Sequence, residues 1–252
     1  MSWQTNDSHV ITKGPCTANG CRSSDAKHHY SDGHAYCFSC STYFPAEHRR
    51  TMAPPYDVPK PKSDVYPNRL PVTQHHCGRN YTFLKQYGLT DDEIDEHYFY
   101  APLTDRHIFS VRDPDTNEEF YEARTHSRNI VPKSLQYGTK PIAFMGDCQS
   151  SVLVIVEDAV SAIKVGRQAT TMPLFGSFLS PIAMAKIGRL ERINQCVIWL
   201  DCDKYDKGME YAKALGMFRP CVAIQTLADP KDLDDSTITV ALEAALDALE
   251  AV

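Results

Sequence analysis

Carboxylate side chains follow two apolar runs in the second half of the chain, at a spacing that suits metal binding. Asp201 and Asp203 come directly after the run at 196–200, and Glu157 comes directly after the run at 152–156. Residues i and i+2 of an extended segment point to one face, so the two aspartates can reach a common point. Grouped oxygen ligands suit Mg²⁺, whose coordination shell substrate phosphates can complete. The alternative is that these acids cap helices or lie in solvated turns.

The two apolar runs themselves predict buried parallel strands. Both are short and contain β-branched residues, and a helical pattern lies beyond each of them. Runs of this kind are typical of strands that are covered on both faces of a parallel sheet. Open α/β sheets carry their sites at the carboxyl ends of such strands. We therefore expect the acids at one edge of a parallel sheet.

A third apolar run, at 221–224, precedes a third acidic segment, at 230–235. Together the three motifs resemble the topoisomerase-primase (TOPRIM) fold, in which a Glu follows one strand, Asp-x-Asp follows a later strand and an acidic segment lies beyond. This resemblance implies an α/β domain in which four acids hold catalytic Mg²⁺ or Mn²⁺. The four acids would be Glu157, Asp201, Asp203 and Asp232.

The predicted cluster departs from the family pattern at two positions. Asp158 follows Glu157 where a Gly is common, and Ser161 stands where a second acid is common. Acids placed close together repel one another unless a cation lies between them. We therefore expect the metal-free protein to be strained at Asp201 and Asp203, and Mg²⁺ or Mn²⁺ to stabilise it.

Four of the nine cysteines form a second candidate site near the start of the chain. They form a Cys-x4-Cys pair and a Cys-x2-Cys pair separated by fifteen residues: Cys16, Cys21, Cys37 and Cys40. Two short-spaced pairs around a hairpin-sized insert are typical of a structural zinc site in a ribbon of β-hairpins. A segment this short rarely forms a stable core without a metal or disulfides. His28, His29 and His34 lie in the insert and could in principle replace a cysteine, but four thiolates already complete a zinc site.

A stretch that begins within the insert and ends at the second cysteine pair, Tyr-Ser-Asp-Gly-His-Ala-Tyr-Cys at 30–37, resembles a hairpin of phage primases. That hairpin is in their zinc domain, including the zinc domain in the primase halves of primase-helicases. The resemblance extends to 20–25 and to 37–40. In that family the Asp and the His around the Gly contact template bases. This implies that Asp32 and His34 read the template here. The alternative is an ordinary Asp-Gly hairpin turn with a surface histidine.

Residues 46–71 separate the zinc ribbon, 10–45, from the rest of the chain. They are rich in Pro, Lys, Asp and Tyr and cannot bury enough apolar surface to order themselves. The sequence therefore predicts a linker that tethers the ribbon.

A basic run at 123–140 contains no acidic residue, although the whole chain has a net charge of −6. Its basic residues are Arg124, Arg128, Lys133 and Lys140. Such a run suits a nucleic-acid backbone or nucleoside triphosphates, and the alternative is a solvated loop. Primases carry a small basic subdomain before the acidic strand. The resemblance thus implies a basic subdomain at 72–147, a TOPRIM domain at 148–235 and a C-terminal helix at 236–252.

Local signals predict further elements between the linker and the acidic motifs. A helical pattern covers 80–87, and Thr90 with Glu93 forms a capping box that opens a second helix. Strands are expected at 107–111 and 120–123, on either side of a turn.

The remaining composition favours a soluble cytosolic protein. No apolar stretch approaches the roughly 18 residues needed to span a bilayer, and residues 1–9 lack the features of a signal peptide. An odd cysteine count with metal spacing indicates a reducing compartment. The other five cysteines are then free thiols: Cys77, Cys148, Cys196, Cys202 and Cys221.

Taken together, the resemblances imply a stand-alone phage DNA primase acting in the host bacterial cytoplasm. It would copy single-stranded DNA into a short RNA primer from ribonucleoside triphosphates by two-metal nucleotidyl transfer. Zn²⁺ would be structural, and a separate replicative helicase and DNA polymerase would be its partners. No Gly-x4-Gly-Lys-Ser/Thr motif occurs, so the sequence predicts no helicase ATPase.

Two other classes use the same features. A TOPRIM nuclease or topoisomerase would use the acids for cleavage, although a topoisomerase also needs a catalytic tyrosine domain. A zinc-ribbon DNA-binding protein without catalysis would result if the altered first motif no longer bound metal.

Overall fold

A computed structural model of the chain describes residues 10–31, 33–44, 66, 68–127, 129–130 and 132–250. Two predicted nucleic-acid contacts, Asp32 and Arg128, and most of the predicted linker lie outside these residues. The described residues form two compact units. The first comprises the described parts of Met1–Pro67 together with Arg124–Leu135, and the second those of Asn68–Ala123 and Gln136–Val252.

The first unit contains a four-stranded antiparallel sheet in the order β1-β2-β3-β4. The strands are β1 Val10–Gly14, β2 Lys27–Tyr30, β3 Ala35–Cys37 and β4 Thr42–Phe44. A turn joins β2 to β3, where Gly33 has a positive φ of 91° and donates to the Tyr30 carbonyl at 2.9 Å. The buried apolar side chains of the four strands in this sheet are Ala35 and Cys37. The predicted β-hairpin ribbon is confirmed, and its core is very small.

The second unit is built on a five-stranded sheet in the order β13-β12-β10-β11-β9. Its strands are β9 Met145–Gly146, β10 Val152–Val156, β11 Thr170–Pro173, β12 Gln195–Trp199 and β13 Cys221–Ala223. Its helices are α3 Ala159–Gly166, α4 Pro181–Gly188, α5 Tyr205–Leu215 and α6 Asp235–Glu250. The strands β10 to β13 are mutually parallel where they pair, and β9 is antiparallel to β11. The predicted parallel α/β sheet is confirmed.

The two central strands are buried on both faces, as their composition predicted. Val154 and Val156 of β10 belong to one hydrophobic cluster, and Leu153 and Ile155 belong to another. All four side chains are fully buried. Burial of one such side chain contributes about 1.5–3 kcal/mol, so this alternation rigidly fixes the strand that ends at the first acidic motif.

The rest of the second unit precedes this sheet in the chain. It contains α1 Gln74–Gln86 and α2 Asp91–His97, followed by a sheet in the order β5-β6-β7-β8. The strands are β5 Tyr98–Ala101, β6 Arg106–Arg112, β7 Glu119–Arg124 and β8 Ser134–Tyr137. The last residue of β7, Arg124, and the first half of β8, Ser134 and Leu135, belong to the first unit. The predicted capping box is present: Thr90 Oγ1 accepts from Glu93 N–H (3.2 Å), and Glu93 Oε2 accepts from Thr90 N–H (2.8 Å). No helix in the described part of the chain is both long and apolar enough to cross a bilayer.

The sequence patterns did not predict β11, and they predicted a shorter helix α1 than the structure has. Thr170 and Thr171 of β11 are fully buried polar residues, and their hydroxyls donate to the carbonyls of Asp147 (2.7 Å) and Ala162 (3.0 Å). The apolar pattern therefore does not mark this strand. Helix α1 begins at Gln74, six residues before the predicted start at residue 80. A kink at Cys77, where the backbone is not helical, separates its first turn from the part that was predicted.

Two glycines with the same φ angle differ in how closely other atoms pack against them, so substitutions at the two positions can distinguish backbone strain from steric clash. Gly146 and Gly88 both have a φ of 76°. A Cβ on Gly146 would lie 2.4 Å from Gly166 Cα, whereas nothing lies within 4 Å of a Cβ on Gly88. The strand β9 therefore approaches α3 through two glycines.

We expect Gly88→Ala to lower the free energy of unfolding by about 1–2 kcal/mol through left-handed strain alone. Gly146→Ala adds a backbone clash and should cost a further 1–3 kcal/mol or so. Urea denaturation of both variants measures the difference. An equal loss of unfolding free energy in the two variants would show that α3 can move away from β9 without a further loss of stability.

Candidate metal sites

The acidic site lies at the carboxyl end of the parallel sheet in the second unit. Val156, the last residue of β10, pairs in register with Trp199, the last residue of β12. Glu157 follows the first of these, and Asp201 follows the second after one intervening residue. Gly176 N–H donates to the Glu157 carbonyl at 3.1 Å and so holds its backbone. The two strands place both acids at the same edge of the sheet, as expected.

A lysine that the sequence pattern did not single out lies among these acids. Lys231 Nζ is 3.0 Å from one carboxylate oxygen of each of three aspartates: Asp158, Asp201 and Asp229. The lysine side chain is only 16% exposed. Asp229 was not among the predicted ligands either. It lies directly before the third acidic segment, three residues before the predicted Asp232. Only the folded loop shows which of the two aspartates reaches the lysine.

Lys231 corrects the expectation that the metal-free acids repel one another unopposed. Burial lowers the pKa of Lys231, but the charges of Asp158 and Asp201 outweigh burial and raise that pKa above its ordinary value. The ammonium therefore stays charged. Burial raises the pKa of the Asp201 carboxyl to about 7, even with the lysine beside it. A positive charge thus lies between the aspartates before any metal binds.

Two carboxylate oxygens in the site remain available to a cation. Glu157 Oε2 and Asp201 Oδ1 are buried and have no hydrogen-bond partner among the described residues. Burial raises the pKa of Glu157, Lys204 partly offsets this, and the charges of Asp158 and Asp203 add to it. A buried carboxylate oxygen without a donor is costly unless a cation or a proton satisfies it. The donor chemistry therefore fits a hard divalent ion such as Mg²⁺ or Mn²⁺.

Asp203 and Asp232 are more exposed than Asp201. The backbone turns into a 3₁₀ helix at Cys202–Lys204, so the extended geometry assumed for the Asp-x-Asp pair does not hold. The Asp203 side chain is 67% exposed and forms an ion pair with Lys204. Asp232 ends the 3₁₀ helix Pro230–Asp232 and is exposed.

The four cysteines form the second site, in the first unit. Among the described residues they are the only group of three or more His, Cys, Asp or Glu side chains whose ligand atoms all lie within 4.8 Å of one another. The Sγ atoms of Cys16 and Cys40 are 3.7 Å apart, and those of Cys21 and Cys37 are 3.9 Å apart. Zinc–sulfur bonds of about 2.3 Å in a tetrahedron place sulfurs about 3.8 Å apart. The predicted cysteine cluster is confirmed, and its geometry fits Zn²⁺.

Backbone groups support the cysteine cluster. Ala18 N–H donates to Cys16 Sγ (3.4 Å), and Cys21 N–H donates to the Ala18 carbonyl (3.1 Å). A hydrogen bond between Thr42 Oγ1 and Cys40 Sγ (3.1 Å) lowers the pKa of Cys40 to about 6. Because metal ligands must be thiolates, these contacts favour the metal-binding form.

No protein-family model matches this sequence, and no curated protein sequence matches it significantly. Solved structures do match. The zinc-binding and RNA polymerase domains of the Aquifex aeolicus primase match with a TM-score of 0.53 at 12% identity, over 98% of this chain and 80% of that one. The chain is similar in fold to a primase. The primase fragment of the bacteriophage T7 primase-helicase matches 94% of this chain and 100% of its own, with a TM-score of 0.47 and 15% identity.

Among the described residues, the histidines of the insert, His28, His29 and His34, are not part of the four-cysteine group. His34 stacks on Tyr30 with ring centroids 4.2 Å apart and lies 5.4 Å from Tyr43, while His28 packs 4.7 Å from Phe38. Tyr43 and Phe38 are both exposed. The ribbon therefore displays aromatic faces beside His34, one of its two predicted template contacts.

The predicted basic contacts Arg124 and Lys133 belong to the same compact unit as the ribbon, and both are exposed. The carbonyl of Lys133 accepts from Thr125 N–H at 2.9 Å. In the second unit, Lys140 Nζ donates to the Phe175 carbonyl at 2.5 Å. Lys140 thus holds the loop that follows β11.

We expect Cys37→Ser to remove zinc and unfold the ribbon, because a metal site supplies much of the folding free energy of so small a core. The purified wild-type protein should contain about one zinc per chain by atomic absorption. Cys148→Ser, an exposed thiol in the second unit, is the control and should keep the zinc. Retention of zinc by Cys37→Ser would show that another side chain completes the site.

Proposed function

We propose that this protein is a DNA primase that copies a single-stranded DNA template into a short RNA primer. The observation that carries the proposal is the presence, in one chain, of a four-cysteine ribbon and an acidic strand edge with two unpartnered carboxylate oxygens. The fold likeness to the Aquifex aeolicus primase, which spans zinc-binding and RNA polymerase domains, supports it. In this assignment residues 10–45 are the ribbon, 72–147 the basic subdomain and 148–235 a TOPRIM domain.

The acidic edge would hold the catalytic cations. Glu157, Asp201 and Asp203 are the proposed ligands, with Asp232 as the fourth member of the predicted set. Bound Mg²⁺ or Mn²⁺ would neutralise charge on the incoming triphosphate and lower the pKa of the primer 3′-hydroxyl. The chain's own part is to keep these carboxylates together at the end of β10 and β12. The loop after β11 assists, because Gly176 fixes the Glu157 carbonyl.

The other predicted residues would bind nucleic acid and nucleotide. Arg124, Arg128 and Lys133 would offset phosphate charge on the template and the triphosphate. Asp32 and His34 would contact template bases, and the exposed aromatic faces of the ribbon would stack with unpaired bases. Ribonucleoside triphosphates are the proposed substrates, and a separate replicative helicase and DNA polymerase the proposed partners.

Ribonucleotide incorporation separates this proposal from the two other classes. The full chain is incubated with single-stranded DNA, radiolabelled ribonucleoside triphosphates and Mg²⁺, and the products are resolved on a denaturing gel. Short template-dependent RNA is the expected result. Cleavage of DNA without RNA synthesis would instead identify a nuclease, and DNA binding without either activity would identify a regulator.

Removal of the acidic charge should abolish synthesis. We expect Glu157→Gln and Asp201→Asn each to lower primer synthesis by several orders of magnitude, since several kcal/mol of transition-state stabilisation would be lost. Both should also lose the rise in melting temperature that Mg²⁺ produces in the wild type. Glu210→Gln, at an exposed position on α5, is the matched control. Normal synthesis by either active-site variant would show that the acids are structural.

Loss of the ribbon should impair initiation of the primer without impairing its extension. Zinc removal or Cys37→Ser is expected to abolish initiation on a bare template, while extension of a preformed primer largely survives, because the acids lie in the other unit. The two reactions are compared in parallel on one template with and without an annealed RNA primer. Equal loss of both would contradict the division of labour between the units.

A further inference from the structure

We propose that Lys231 is the resident cation of the acidic edge and takes the place of one divalent ion, which leaves metal to bind on the Glu157 side of Asp201. This inference rests on the proposed function only in treating the acidic edge as a metal site. It differs from the two-metal arrangement that the resemblance implied. In that arrangement the acids share two divalent ions, whereas here one of the two positive charges would belong to the chain itself.

The Lys231 ammonium contacts three carboxylates at once. A lysine ammonium has three N–H donors and no acceptor. Lys231 Nζ lies 3.0 Å from Asp158 Oδ2, from Asp201 Oδ2 and from Asp229 Oδ2. Three acidic loops, one after each of three parallel strands, therefore converge on one nitrogen. That is the arrangement a bound metal ion would otherwise impose on them.

Two of the three aspartates are held in place by hydrogen bonds to their second carboxylate oxygen. Asp158 Oδ1 accepts from Ser161 N–H at 2.9 Å and caps α3. Asp229 Oδ1 accepts from Cys202 N–H at 3.0 Å. Each of these two carboxylates thus has one oxygen fixed by backbone and the other on the ammonium. Asp201 differs, because its Oδ1 is buried with no partner among the described residues.

The backbone of Lys231 is also anchored. Lys164, a buried residue of α3, donates its ammonium to the carbonyls of Lys231 (2.9 Å) and Leu233. Pro230, the preceding residue, is buried, and Asp232 N–H donates to the Asp229 carbonyl at 2.9 Å. Lys231 is therefore part of a braced turn and differs in this from an ordinary surface lysine.

The oxygens around the acidic edge thus fall into two groups. Three surround Lys231 at a distance that suits an ammonium, and they would need to close in by about 1 Å to bind Mg²⁺. The two unpartnered oxygens, Glu157 Oε2 and Asp201 Oδ1, are outside that group. Asp201 is the residue shared by both, so it would link the resident lysine to the exchangeable metal.

The decisive variant is Lys231→Gln, with Mn²⁺ as the probe. Mn²⁺ bound to the zinc-loaded full chain is counted from the loss of the free-ion signal in electron paramagnetic resonance. We expect Lys231→Gln to bind one more Mn²⁺ per chain than the wild type, because three carboxylates lose their counter-charge. It should also melt at a lower temperature without Mn²⁺ and show a larger rise when Mn²⁺ is added.

Two further variants make the result specific. Lys231→Gln combined with Asp229→Asn should bind the additional Mn²⁺ more weakly than Lys231→Gln alone, because the vacated position then has two carboxylates in place of three. Lys186→Gln removes a lysine that pairs with Asp115 at 2.6 Å elsewhere in the same unit, and it should leave the Mn²⁺ count unchanged.

An unchanged Mn²⁺ count in Lys231→Gln would overturn the inference. So would a variant that fails to fold even with Mn²⁺ present, because a metal could then not take the place of the lysine. These outcomes can be distinguished from a failure of the proposed function. Absence of primer synthesis by the wild type would refute the primase proposal, whereas one additional ion in Lys231→Gln would still establish the role of the lysine.

Discussion

The acidic edge of this protein is governed by repulsion between carboxylates that are partly removed from water. Parallel strands β10, β12 and β13 end at one edge of a sheet, and each is followed by acidic residues. Like charges in a partly desolvated site disfavour one another's ionised forms, which is why burial and neighbouring charges raise the pKa values of Glu157 and Asp201 together. A cation must offset this repulsion, and Lys231 provides one within the chain.

The rest of the second unit keeps these charges in place. The side chains of β10 pack alternately into two apolar clusters, so the strand cannot slide without exposing a full set of core residues. The buried Lys164 braces the turn that carries Lys231, and Gly176 braces Glu157. Ion pairs of this kind rarely stabilise a fold strongly, because the cost of desolvation offsets the attraction. Their value here lies in fixing which carboxylate oxygens face the lysine and which remain open.

The ribbon is organised by a different constraint. Its buried apolar side chains are too few to hold four short strands, and the cysteine sulfurs already stand at separations that zinc requires. A metal in such a site contributes directly to folding. The ribbon can thus present exposed aromatic side chains without needing them for a core. The acidic edge instead rests on a large apolar framework, so the fold around it depends less on a bound metal.

The sequence alone determined the elements whose signal is local. Cysteine spacing identified the four-cysteine cluster, apolar runs identified β10 and β12, and the Thr90–Glu93 capping box identified the start of α2. Each of these signals lies within a short stretch of the chain. Strand β11 was not predicted, because it contains buried threonines in place of apolar residues. Their hydroxyls donate to carbonyls that are distant in the sequence. The place of Lys231 was decided only by tertiary structure. Asp158, Asp201 and Asp229 are separated by up to 71 positions in the chain, and only parallel strand pairing brings their carboxylates around one ammonium.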